Sequence, residues 1–124
     1  MSDVGGRFLP SYNATTAVLA ASAAGYNNIV VGVAGSRIVI WHFNFITAGA
    51  VNVTLFSDTN PTSAPTALSG VYTFPTNGGY AFDSQAAGGP IVCKIGDNFI
   101  FNLSGAVGCN GFVMYSIVAG IGGG

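Results

Sequence analysis

Ionic side chains are nearly missing from this sequence. Only 6% of its 124 residues are charged, against about 25% in an ordinary soluble domain. The full set is Asp3, Arg7, Arg37, Asp58, Asp83, Lys94 and Asp97, and there is no Glu. A free-standing domain normally stays soluble and unassociated behind mixed surface charge. Here the exterior must be built from Ser, Thr, Asn, Gly and apolar side chains. Such a surface is cheap to desolvate, and extended uncharged or apolar surface marks a site of association. The composition therefore predicts a chain that adheres to copies of itself and to a larger assembly.

Other absences exclude further classes. The net charge is −1 and only three residues are Lys or Arg, so no basic stripe exists to neutralise phosphates, and nucleic acid is not an expected partner. No run of 18 apolar residues occurs. The most apolar stretch, 112–121, is broken by Ser116 and Gly120. The opening residues MSDVGG lack the basic patch and apolar block of a signal peptide, so neither export nor an outer-membrane barrel is expected. Cys93 and Cys109 are the only two cysteines and His42 the only histidine. They form no CxxC and cannot fill a four-ligand zinc site, so no metal or cofactor is expected. The cysteines read either as two small buried hydrophobes or as a disulfide, which spacing alone does not decide.

Half the residues are hydrophobic and 19 are Gly. The length suits one domain with a real core. Residues 1–28 are rich in Ala, Ser, Thr and Gly and read as an extended N-terminal arm with at most a helical turn. Phe8, Leu9 and Tyr12 are its expected anchors for contact with neighbouring chains. From there short β patterns follow one another: 28–33, 37–46, 51–57, 67–74, 80–84, 91–95, 99–103 and 111–118. In the strongest of these, RIVIWHFNFI, the odd positions Val39, Trp41, Phe43 and Phe45 read as one continuous apolar face. Gly- and Pro-bearing turns recur about every ten residues, with no long amphipathic helix between them. Strands at that spacing predict an all-β, eight-stranded antiparallel β-sandwich, jelly-roll-like, spanning 29–118. Residues 119–124 read as a flexible Gly-rich tail.

Raw material for chemistry is scarce. Catalysis needs titratable groups gathered in a cleft, and this chain offers four Asp, one His and no Glu. His42, mid-strand among aromatics, reads as a structural or interface residue rather than the base of a Ser–His–Asp triad. Asp58, Asp83 and Asp97 sit in loops or at strand ends, where Asp commonly caps turns. The glycines of 32–35 lack the Lys and the helix of a phosphate loop. No enzymatic activity is expected. The main alternative is carbohydrate binding, for which Tyr72, Tyr80 and Tyr115 are the candidate stacking platform.

The segment IVVGVAGSRIVIW, 29–41, resembles a pattern found in a family of small bacteriophage virion structural proteins. In it a short apolar strand leads through a Gly turn to a basic residue and a second apolar strand. TLFS at 54–57, GDNFIFNLSG at 96–105, and VGCNG at 107–111 followed by VMY at 113–115 are similar to its later strands. The resemblance covers roughly residues 28–118. The shortage of acidic residues and the two Cys depart from the pattern. It implies a β-sandwich capsid decoration (cement) protein, expected as a homotrimer on the outer capsid surface of the virion, made in the host cytoplasm and bound to the major capsid protein. A carbohydrate-binding module of a tail tip or fibre is the alternative it allows. It carries no catalytic residues.

Overall fold

The structure is a computed structural model that describes residues 14–59 and 64–119. Ten strands and one helical turn follow in order. They are β1 (Thr15–Ala21), β2 (Gly25–Val30), β3 (Ser36–Thr47), β4 (Val51–Asp58), β5 (Thr66–Ala67), β6 (Tyr72–Phe74), β7 (Gly79–Asp83), α1 (Ser84–Ala87), β8 (Ile91–Val92), β9 (Asn98–Leu103) and β10 (Cys109–Ala119). They form two antiparallel sheets. One runs β2-β9-β4-β5, with β6 also on β4; the other runs β1-β10-β3-β7, with β8 also on β3. The inner faces of the two sheets pack together as a β-sandwich.

Alternation explains most of the core. Val51, Val53 and Leu55 of β4 point inward, as do Phe99, Phe101 and Leu103 of β9. Phe56 lies on the outer side of its sheet, where Tyr26 meets it edge-on at 5.6 Å between ring centroids. The centre of the sandwich is aromatic. Phe43 stacks on Phe82 at 5.5 Å and meets Phe101 edge-on at 5.8 Å, while Phe45 meets Phe74 and Phe101, each at 5.3 Å. Edge-to-face and offset pairs of this kind add about 0.5–1.5 kcal/mol each beyond the area they bury.

Three features differ from the sequence expectation. Among the described residues the sandwich already includes Thr15–Ala21, ahead of residue 28. Residues 15–21 pair along β10 from Tyr115↔Thr15 to Cys109↔Ala21, and bury Leu19 and Ala21. Partnering on β10 outweighs the helix propensity of the Ala-rich run, which is a weak preference. The expected strand at 67–74 is two short strands flanking a bend. With β1, the described residues form ten strands where eight were expected. Third, the apolar face of β3 is not continuous. Ile38, Val39 and Ile40 are buried, then Phe43, Phe45 and Thr47, but Val39 lies outside the core cluster that Ile38, Ile40, Phe43 and Phe45 share. Met114 pairs with His42 but Tyr115 with Ile40, so Trp41 is an extra residue in the ladder. This β-bulge reverses the alternation, and Trp41 leaves the core.

Candidate functional site

The bulge shapes a cleft on the outer surface of its sheet. On the outer side of the β1-β10-β3-β7 sheet, Trp41, His42, Phe112, Met114, Asp83, Ser84 and Gln85 line an open cleft of about 320 Å³. Cross-strand pairing sets the arrangement: Met114 and Asp83 flank His42 on either side. Phe112, two residues along β10 from Met114, stacks on the His42 ring at 5.3 Å with 19° between planes. The Trp41 indole N–H donates to the Ser116 hydroxyl at 2.9 Å. Trp41, His42, Phe112 and Met114 are all half-buried.

The rim is polar because Asp83 ends β7 and caps α1. Its Oδ1 accepts from the Gln85 backbone N–H at 3.1 Å, and Gly88 closes the turn in the left-handed region with φ 87°. Asp and Gly are the residues these two positions favour. The expected Ala/Gly loop thus contains a helical turn that presents Gln85 over the cleft. His42, Asp83 and Ser84 do meet here, yet no hydrogen bond among the described residues joins them. A triad requires the imidazole bonded to both partners, and Ser84 is buried at the start of the helix.

The proposed tyrosine platform is split. Tyr72 and Tyr80 stack at 5.2 Å and 23°, closing one edge of the sandwich from both sheets. The Tyr72 hydroxyl is pushed up by burial, then by the charge of Tyr80 and a hydrogen bond with it. Tyr115 belongs to another place. It pairs with Ile40 and Thr15, and packs against the core. Two tyrosines with the core behind them do not make the three-ring surface expected. The aromatic–acid cluster lies instead around Trp41, which strict alternation placed in the core.

The thiols are far apart. Cys93 donates its backbone N–H to Ile38 at one end of β3, whereas Cys109 pairs with Thr47 at the other. Nine residues of strand span roughly 30 Å, well beyond the reach of a disulfide. Both are free and buried. Burial, chiefly, pushes the Cys93 thiol up to about 12, opposed by a hydrogen bond to Ser57 and aided by the charge of Asp97. Burial also raises Cys109. Neither is poised as a thiolate nucleophile.

The remaining carboxylates brace the backbone. Asp97 accepts from the Ser57 hydroxyl at 2.7 Å, and Ser57 in turn accepts from the Lys94 N–H at 3.0 Å. Asp58 accepts from the Ala64 N–H at 3.3 Å. Both acids are buried. Phe8, Leu9 and Tyr12 lie outside the described residues. Among the described residues no group of three or more His, Cys, Asp or Glu is placed to hold a metal ion, and no helix is long and apolar enough to cross a membrane.

No family model, curated protein or solved structure matches this chain.

Proposed function

We propose that this chain is a non-enzymatic bacteriophage capsid decoration protein with a jelly-roll body, bound as a homotrimer to the major capsid protein on the outer surface of the virion. The strand order supports the jelly roll. If β5 and β6 share one edge position and β7 and β8 another, eight positions remain, four in each sheet, and the chain alternates between sheets along β1-β2-β3-β4. Jelly rolls of eight strands recur in viral shells and lectins.

The adhesive part of the reading rests on one end of the sandwich. Val31, Val33, Ile95, Ile117 and Val118 are exposed there, with Val31 at 68% and Val33 at 50%. Pairing brings them together: Ser36 bonds back to Val33, Gly96 bonds to Ser36, and Val118 pairs with Arg37. The described chain begins at Ala14, next to the Tyr115↔Thr15 pair, and ends at Ala119, one residue beyond Val118 of this collar. Arg37 Nε, also here, is buried with no hydrogen-bond partner among the described residues, and an unsatisfied donor costs about 1–3 kcal/mol until an acceptor is supplied.

Charge supports the same picture. Among the described residues only Asp83 and Lys94 are exposed ionic side chains; Asp58 and Asp97 are buried and Arg37 half-buried. Burial of such surface is favourable by about 25 cal/mol per Å². Most of that gain is offset by lost freedom, and repetition across a shell converts weak contacts into lasting ones. The observation that carries the proposal is the exposed apolar collar of Val31, Val33, Ile95, Ile117 and Val118.

The test is occupancy. Light scattering of the purified protein is expected to give a trimer, and gel densitometry a high, fixed copy number per virion. Deleting residues 1–12 is expected to abolish binding to shells while thermal unfolding of the sandwich stays unchanged. A protein that remains monomeric at high concentration and ignores capsids overturns the proposal.

A further inference from the structure

We infer that the cleft beside Trp41 is a binding site for one neutral pyranose ring of a glycan. Its volume, about 320 Å³, lies at the low end of the roughly 300–1,000 Å³ of small-molecule sites, enough for one ring rather than an extended chain. The inner surface is aromatic and already ordered. The bulge turns Trp41 out of the core, and Ser116 holds its indole N–H at 2.9 Å. The ring therefore offers its apolar surface and no free donor. Fixing such a ring before the ligand arrives removes an entropic cost of binding. The polarised C–H groups on one face of a pyranose fit the negative face of an aromatic ring.

The rim supplies what hydroxyl groups need. Asp83 uses Oδ1 to cap α1, and no hydrogen bond among the described residues engages its Oδ2 or the Gln85 side-chain amide. Both side chains are exposed. A carboxylate oxygen accepts from hydroxyls, and an amide both donates and accepts. Together they can hold neighbouring hydroxyls on a ring seated against Trp41.

Charge and ring geometry narrow the ligand class. No Lys or Arg lines the cleft, so a phosphate or carboxylate group would face Asp83 without a counter-charge. A quaternary ammonium needs aromatic faces opened around it. Here His42 and Phe112 stack on each other at 5.3 Å and 19°, which closes the gap between them. A neutral polyol with an apolar face remains. The site lies along the face of the sheet, apart from the collar, so the inference does not rest on shell binding.

Trp41 is the only tryptophan, which makes its emission a reporter of this cleft alone. The full chain is titrated with methyl glucoside, galactoside, mannoside and N-acetylglucosaminide, and with glucuronate and choline chloride. At least one neutral pyranoside is expected to give a saturable change at millimolar concentration, while glucuronate and choline give none. Asp83→Asn keeps the helix cap, since Asn caps as well as Asp, and Gln85→Ala alters an exposed side chain. Each is expected to weaken sugar binding tenfold or more with the melting temperature unmoved. The inference is overturned if no pyranoside saturates, if glucuronate or choline binds as tightly, or if both variants bind as the parent does. Oligomeric mass and virion copy number are read separately, so failure here is distinguishable from failure of the decoration proposal.

Discussion

Ser116 accepts the indole N–H of Trp41 at 2.9 Å, beside the point where β3 and β10 fall out of step. Ser116 is buried on the outer side of its sheet, and its hydroxyl is the polar atom that fixes the tryptophan. Replacing it with Ala leaves a half-buried donor unpaired. The expected loss is about 1 kcal/mol of stability, read from urea unfolding, together with a shifted emission maximum for Trp41 in the folded state.

Phe43 sits where Phe82, Phe99, Phe101 and Tyr80 converge and is fully buried. Phe43→Ala is expected to cost about 3–5 kcal/mol, the range for large aromatic truncations in cores. Phe112→Ala, at a half-buried position on the outer face, is expected to cost much less. Equal losses in denaturant titrations would contradict the assignment of inner and outer faces.

Gly111 lies where β10 crosses close to β3. A Cβ there would fall on the Asn44 carbonyl, so Gly111→Ala must push the two central strands apart. The expected cost is at least the roughly 1–3 kcal/mol typical of overpacking. Gly105→Ala meets nothing within 4 Å and is expected to leave the unfolding midpoint unchanged.

The thiols give a pH prediction. Burial pushes the Cys93 thiol up to about 12 in the folded chain, above that of a solvated thiol. The unfolded chain therefore loses this proton first as pH rises. The stability it contributes is whole below about pH 9 and falls away as pH climbs toward 12. Comparing unfolding midpoints of the parent and Cys93→Ala between pH 8 and 11 isolates this effect, and the gap between them should narrow with pH. Native protein should also resist thiol reagents and release two thiols on unfolding, because both cysteines are buried and free.

The collar gives a prediction for assembly. Val33→Lys with Val118→Lys places two charges where the described surface is apolar. Capsid occupancy is expected to fall at least tenfold while the isolated sandwich melts at the parent temperature. Unchanged occupancy would move the contact elsewhere on the molecule.

What the sequence determined by itself was the class of object. Short alternating runs in 51–57 and 99–103, with Gly- and Pro-bearing turns between them, are enough for an antiparallel sandwich, because a period of two leaves a strand little choice of face. The shortage of charge likewise determined that the exterior would be nearly non-ionic. The tertiary structure alone decided four other matters. Residues 15–21 became a strand because β10 was there to pair with, and a partner across the sheet is invisible in the local sequence. Trp41 left the core because one extra residue in β3 inverted the alternation, and register is a property of two strands together. The cleft then arose from residues on β3, β7, β10 and α1, whose meeting depends on strand order. Tyr72 and Tyr80 met for the same reason, and Tyr115 was carried away from them.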